Sequence, residues 1–166
     1  IMEKLPKASL TEAGHIDSRK GRMIGIWEGV PLEESHRHHS HLAGIVPFDV
    51  FDMDDPQWEE IVRCSLNHWL YHGPGLWSGW CVPWASMLQS RMGNGDTAQL
   101  YLEIFDRVFT NMGHGTLHDC GFPGFSLMGI DSLGKMRRQP EIMQMDGGMG
   151  AVAAVQEMLL HVRRGV

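Results

Sequence analysis

One stretch of the chain has a strong helical repeat, and it constrains the fold more than any other feature. Apolar residues recur at helical spacing after Pro56, and the run stops before Gly73. Asp54 or Asp55 can cap the start, and Pro56 suits the first turn of a helix. The apolar positions are Trp58, Ile61, Val62, Leu66, Trp69 and Leu70. We therefore predict a helix that ends before Gly73.

Three further segments carry a helical repeat. The second predicted helix begins near Ser78 as N-cap and stops at Gly93, although Pro83 distorts its first turns. The third runs from Asp96 as cap to Gly113. The fourth spans residues 150–162, and its apolar positions are expected to point inward. These positions are Val152, Val155, Leu159 and Val162.

The remaining sequence shows no alternation typical of strands, and residues 1–47 are interpreted mainly as loop. Helices joined alternately by short turns and longer irregular loops favour stacked helical hairpins, the plan of an α/α toroid. A ring of six hairpins needs ~12 helices of average length. We therefore predict an all-α fold, a partial α/α toroid with long irregular loops. Residues 1–166 are expected to form a single domain, in which the ring cannot close because only four long helices are predicted.

Charge and composition exclude several classes of protein. The formal net charge is -6 and no basic stripe stands out, so we expect no nucleic-acid partner. No apolar run is long enough to span a bilayer, so no membrane partner is expected. The three cysteines are widely separated, which indicates neither a disulfide framework nor a metal knuckle.

The densest polar cluster precedes the first helix. It consists of His36, Arg37, His38, His39, Ser40 and His41. Guanidinium and neutral imidazole groups donate and accept the hydrogen bonds that sugar hydroxyls require, which favours a carbohydrate pocket. Two alternatives stay open: a metal site formed by His36, His38, His39 and His41, and histidines that only cap helices and bind backbone. The cation of a metal site would be repelled by the adjacent Arg37.

Two later segments add candidate residues. Trp77 lies in a glycine-bracketed loop before the second helix, where an indole can stack on a sugar face or simply pack in the core. Asp146 is a lone carboxylate before the last helix. It can cap that helix or orient a water molecule as a general base.

In this order, the segments resemble the C-terminal part of the catalytic domain of glycoside hydrolase family 95, the inverting α-L-fucosidases and their relatives. The family pattern reads HRHxSHLxG, then GWS, then DGNxG before a helix that ends in EMLL. The chain has HRHHSHLAG at 36–44, Trp77 and Ser78, DGGMG at 146–150 and EMLL at 157–160. It departs from the pattern at Leu76 and Gly148 and by an insertion between Asp119 and Asp146.

The resemblance implies roles for individual residues. Asp146 would be the catalytic residue that directs the attacking water, and the substrate-binding residues would be Arg37, His38, His41 and Trp77. The general-acid glutamate would come from an earlier half of the toroid, so the chain alone is expected to be nearly inactive. The substrate would be an oligosaccharide with a terminal α-L-fucose or a related sugar, and neither a metal nor an organic cofactor would be needed.

Other expectations concern the context of the chain. An incomplete ring would expose apolar patches, which makes self-association, or a partner chain that completes the toroid, the expected interaction. The family suggests a secreted or periplasmic location. The alternative function is a non-catalytic helical module that binds carbohydrate or protein.

Overall fold

The structure is a computed structural model that describes residues 6–13, 21–121, 124–131, 133–135 and 142–160. Four α-helices account for most of its regular structure, in agreement with the predicted helical class. They are α1 (Pro56–His72), α2 (Cys81–Arg91), α3 (Gly95–Val108) and α4 (Met145–Leu160). The chain forms two compact units. Unit 1 is Ile1–Ser35 with His39–Gly73, and unit 2 is His36–His38 with Pro74–Val166.

Helix α1 in unit 1 confirms the first predicted helix. The Asp55 carboxylate accepts a hydrogen bond from the Gln57 N–H at 2.9 Å, and Pro56 occupies the first turn. Gly73 ends the helix with a φ of 66°, a left-handed value that glycine adopts without strain. Most of the apolar repeat faces the core of unit 1, where Val62 and Trp69 are buried, but Leu70 is exposed.

Unit 1 also contains two short strands that the sequence did not predict. Strands β1 (Leu10–Glu12) and β2 (Arg22–Ile24) pair antiparallel. The Ser65 hydroxyl on α1 accepts a hydrogen bond from the Ile24 N–H at 2.8 Å and donates one to the Ile61 carbonyl at 2.6 Å. These bonds attach the strand pair to α1. The prediction of loop is wrong for these two segments, because three residues are too few for strand alternation to be visible.

Helix α2 is the centre of unit 2. It packs against both α3 and α4, and most of its residues are buried. The Ser86 hydroxyl donates a hydrogen bond to the Ala98 carbonyl of α3 at 2.8 Å. Arg91 forms an ion pair with Glu157 of α4. Because other helices pack against more than one side of α2, most of its positions are buried.

The predicted starts of α2 and α3 are wrong by a few residues. Helix α2 has Trp80, rather than Ser78, at its N-cap, so Pro83 falls in the first turn and breaks no hydrogen bond of the helix. Helix α3 has Asn94 at its N-cap, and Asp96 lies in its first turn. This helix ends at Val108, before the predicted Gly113.

Helix α4 differs most from its prediction. It begins at Met145, so the glycine-rich run after Asp146 is helical. A Cβ atom at Gly147 would lie 3.3 Å from the Phe105 ring, and one at Gly150 would lie 3.3 Å from Pro83. This close packing favours the helix and outweighs the cost of glycine in its first turns.

The apolar side chains predicted to point inward from α4 are exposed. Val152 is 59% exposed, Val155 45% and Leu159 76%, and Val162 lies outside the described residues. Gly147 and Ala154 face the core instead. The prediction is wrong because small residues, rather than the large ones, form the packed face of this helix. Within the described residues, every helix is too short or too polar to cross a membrane.

Candidate functional site

The segment that carries Arg37 and His38 is held against the start of α2. The Cys81 thiol donates a hydrogen bond to the Arg37 carbonyl at 2.9 Å. Within the segment, the His38 N–H donates to Nδ1 of His36 at 3.0 Å, which forms a tight local turn. The Arg37 and His38 residues are both exposed. Their backbone is therefore fixed while their side chains remain accessible to a ligand.

Trp80, the N-cap residue of α2, lies beside this segment. Its ring is 5.9 Å from the His38 ring, centroid to centroid, and 4.9 Å from the Trp84 ring. Trp84 is buried, whereas Trp80 is only partly buried. The sequence analysis gave Trp80 no part in the site.

The segment that carries Asp146 also contacts Trp80. The Gln144 side-chain carbonyl accepts a hydrogen bond from the Trp80 N–H at 2.8 Å. The Gln144 N–H donates to the Thr116 carbonyl at 2.8 Å, and the Thr116 hydroxyl donates to the Gln144 carbonyl at 2.7 Å. A Cβ atom at Gly147 would lie 3.4 Å from the Trp80 nitrogen. Asp146 stands between these two anchored residues, in the first turn of α4, and it is exposed.

Two segments more than a hundred positions apart thus meet at the start of α2. His38 contacts the Trp80 ring, and the residues on both sides of Asp146 contact the Trp80 backbone. Gln144 and Cys81 were missed by the sequence prediction, because a backbone hydrogen bond from a distant side chain leaves no periodic pattern. Gln144 stands two residues before Asp146, so the motif itself was the available signal.

The titration of His38 suits hydroxyl recognition. Partial burial lowers the pKa of His38, and the charges of Arg37 and His36 lower it further. The imidazole is therefore neutral at neutral pH, with one nitrogen that donates and one that accepts. A neutral ring beside a permanently charged guanidinium offers both kinds of hydrogen bond to a polar ligand.

Trp77 lies in the core of unit 2. It is 1% exposed, and its ring packs against Tyr101 and Phe125 at centroid distances of 5.9 and 6.3 Å. An indole enclosed in this way presents no face to a sugar. The sequence analysis named Trp77, whereas Trp80 is the indole that stays partly exposed.

His41 and His39 belong to unit 1. His41 is half-buried in a 3-10 helix, Ser40–Leu42, while His39 is fully buried with its ring edge-on to Trp69 at 5.0 Å. The histidine run is therefore divided between the two units of the chain. Among the described residues, no three side chains of His, Cys, Asp or Glu are arranged to hold a metal ion.

A His–Asp pair directly follows Leu117, which forms an isolated β-bridge with Met143. Nδ1 of His118 is 2.7 Å from an Asp119 carboxylate oxygen, and both side chains are about one quarter exposed. The His118 carbonyl accepts from the Gly79 N–H at 3.0 Å, and its N–H donates to the Ile142 carbonyl at 2.9 Å. The sequence analysis assigned no role to this pair.

Unit 2 also has an apolar groove between α3 and α4. It measures about 510 Å³, and its apolar walls include Leu102, Phe105, Val152 and Val155. Arg37, His38 and Asp146 are not among its lining residues. The groove shares Thr116 with the contacts of Gln144, but the three candidate site residues do not line it.

The contacts around Trp80 involve the motifs on which the resemblance rests. No curated protein matches the chain. Residues 3–159 match the glycosyl hydrolase family 95 catalytic domain, and that domain implies glycoside hydrolase activity in general. Since the match covers most of the sequence, the chain belongs to glycosyl hydrolase family 95.

Proposed function

We propose that the chain contributes to the inverting hydrolysis of a terminal α-L-fucoside, or of a related sugar, within an α/α toroid. The observation that carries the proposal is the meeting of the His38 and Asp146 segments at Trp80. Both segments expose a group that can act on a sugar, and both are anchored through backbone hydrogen bonds. Fixed backbone and accessible side chains are what a preorganised site needs.

Arg37 and His38 would bind the terminal sugar. The guanidinium donates hydrogen bonds only, whereas the neutral imidazole of His38 donates and accepts. Together they can recognise neighbouring hydroxyl groups, which each carry a donor and an acceptor. The partly exposed Trp80 ring would offer an apolar surface beside them.

Asp146 would act on the water molecule. Its carboxylate accepts a proton from the water as the oxygen attacks the anomeric carbon, while a general acid protonates the departing glycosidic oxygen. The glycosidic bond breaks, and the configuration at the anomeric carbon inverts. The family resemblance assigns the general acid to a glutamate in the earlier half of the toroid, at the roughly 6.5–9.5 Å separation that inversion requires.

Replacement of Asp146 by Asn tests this proposal in the full-length parent, the protein in which the toroid is complete. Loss of a general base should lower kcat on a chromogenic α-L-fucoside by about 10²- to 10⁴-fold. The matched control is Asp96→Asn, since Asp96 is also an exposed carboxylate in the first turn of a helix. The control should keep its activity, and NMR should show the β-anomer as the first product of the unmodified enzyme.

Two results would contradict the proposal. Full activity of the Asp146→Asn protein would remove this carboxylate from the reaction. Binding of fucosides without turnover by the full-length parent would favour the alternative, a non-catalytic module that binds carbohydrate.

A further inference from the structure

Two histidines near the C-terminal end of α1 converge on one backbone carbonyl. His68 and His72 are four residues apart and therefore lie on the same face of the helix. Their Nε2 atoms are 3.2 Å apart, and Nε2 of His68 is 2.6 Å from the Leu32 carbonyl oxygen. All three residues belong to unit 1, and none has a role in the proposed hydrolysis.

Without a metal ion, one proton on Nε2 of His68 can serve both contacts. That N–H lies within hydrogen-bond distance of the Leu32 oxygen and of Nε2 of His72, and both of these atoms accept. Movement of that proton to Nδ1 of His68 would free its Nε2 lone pair and leave the ring neutral, so no net proton is released.

We propose that Nε2 of His68, Nε2 of His72 and the Leu32 carbonyl oxygen form a binding site for one divalent transition-metal ion, of the type Zn²⁺, Ni²⁺ or Cu²⁺. Imidazole nitrogen is a preferred ligand of these ions. The third ligand is a backbone oxygen, and water would complete the coordination. A cluster of three ligating side chains is therefore not required.

The spacing of the ligand atoms fits such an ion. Bonds of roughly 2.1 Å hold neighbouring ligand atoms about 3.0 to 3.4 Å apart in tetrahedral or octahedral geometry. The 3.2 Å between the two Nε2 atoms lies in that range. The Leu32 oxygen would have to move away from His68 by about half an ångström, to reach the spacing that such bonds impose.

The electrostatic surroundings also favour a cation. The site lies at the C-terminal end of α1, which carries the negative end of the helix dipole. The Glu33 carboxylate adds a negative charge near His72.

The test uses the chain after treatment with a chelator, and Cu²⁺ as the probe. Pulsed EPR should detect two coordinated imidazoles, and calorimetry should give one bound ion. His72→Gln removes one ligand but leaves the bond between His68 and Leu32, so the fold should persist. It should weaken Cu²⁺ binding by more than the roughly tenfold that loss of a supporting group costs.

The control is the double substitution His36→Gln with His38→Gln, which removes another pair of neighbouring histidine rings. This protein should keep the two-imidazole signal. The proposal fails if the signal disappears in the control, or if His72→Gln binds Cu²⁺ as tightly as the unsubstituted chain. A readout that needs no variant is NMR of the imidazoles, where Zn²⁺ should shift the ring signals of His68 and His72 and leave those of His114 unchanged.

Discussion

Trp80 is the residue at which the contacts of the candidate site meet. Its ring contacts His38, and its backbone N–H donates a hydrogen bond to the Gln144 side chain. The residue before it must be glycine, because other chain segments approach Gly79 closely. A Cβ atom at Gly79 would lie 2.0 Å from the Leu117 carbonyl oxygen and 2.8 Å from Oε1 of Gln144.

We therefore expect Gly79→Ala to destabilise the chain by about 3 kcal/mol or more, since the methyl group must displace backbone as well as a side chain. Urea unfolding followed by tryptophan fluorescence measures this change. Gly95→Ala is the control, because Gly95 begins α3 with open space around it. Alanine there should stabilise by up to about 1 kcal/mol. A small loss of stability in Gly79→Ala would contradict the close approach of Leu117 and Gln144 to this glycine.

The thiol of Cys81 makes stability depend on pH. Burial raises its pKa from 9.0 to about 11, and hydrogen bonds with Ser78 oppose this only in part. The unfolded chain thus releases the proton at lower pH than the folded chain does. The stabilisation is fully present below about pH 9 and is lost as pH rises toward 11.

This dependence should be visible in unfolding experiments. Between pH 9 and about 11, the unfolding free energy of the unsubstituted chain should fall more steeply than that of Cys81→Ala. Both proteins share every other titrating group, so the difference isolates the thiol. Parallel curves would show that the folded and unfolded chains bind this proton equally.

The Arg91–Glu157 ion pair joins helices α2 and α4. Nη2 of Arg91 also donates a hydrogen bond to the Glu157 carboxylate at 3.3 Å. The two side chains are only 15% and 17% exposed. Such a pair resists the loss of one partner, because the remaining charge stays buried.

Glu157→Gln should therefore destabilise unit 2 by about 3 kcal/mol. Replacement of both residues by apolar ones, Arg91→Met with Glu157→Leu, should cost much less stability than the sum of Arg91→Met alone and Glu157→Leu alone. A double-mutant cycle in urea measures the coupling. Additive effects would show that the pair does not couple the two helices.

The outer face of α4 is apolar. Its exposed apolar residues are Met145, Met149, Val152, Val155, Met158, Leu159 and Leu160. Val152 and Val155 also line the groove beside α3. Contiguous apolar surface of this kind is normally covered by a partner.

We expect the chain to self-associate when it is produced alone. Val152→Lys with Leu159→Lys should shift it toward the monomer in sedimentation velocity, because both side chains are exposed and charge opposes burial. Lys135→Glu, a charge change at an exposed loop residue, serves as the control. A chain that is monomeric at all concentrations would refute the expectation.

Helix α1 could be predicted almost completely, since its cap and first-turn proline are neighbours at one end and a glycine ends it at the other. The sequence also identified the family, because the motifs around Arg37 and Asp146 are local strings. Local interactions of this kind are encoded by neighbours in the chain.

The packed face of α4 and the burial of Trp77 depend on contacts between distant parts of the chain. Glycines in α4 approach Phe105 and Pro83, residues far away in sequence, so the small residues turn inward and the large ones outward. Trp77 is enclosed by Tyr101 and Phe125, whereas Trp80 stays partly exposed beside His38. Burial depends on what packs against a residue, and periodicity alone does not contain that information.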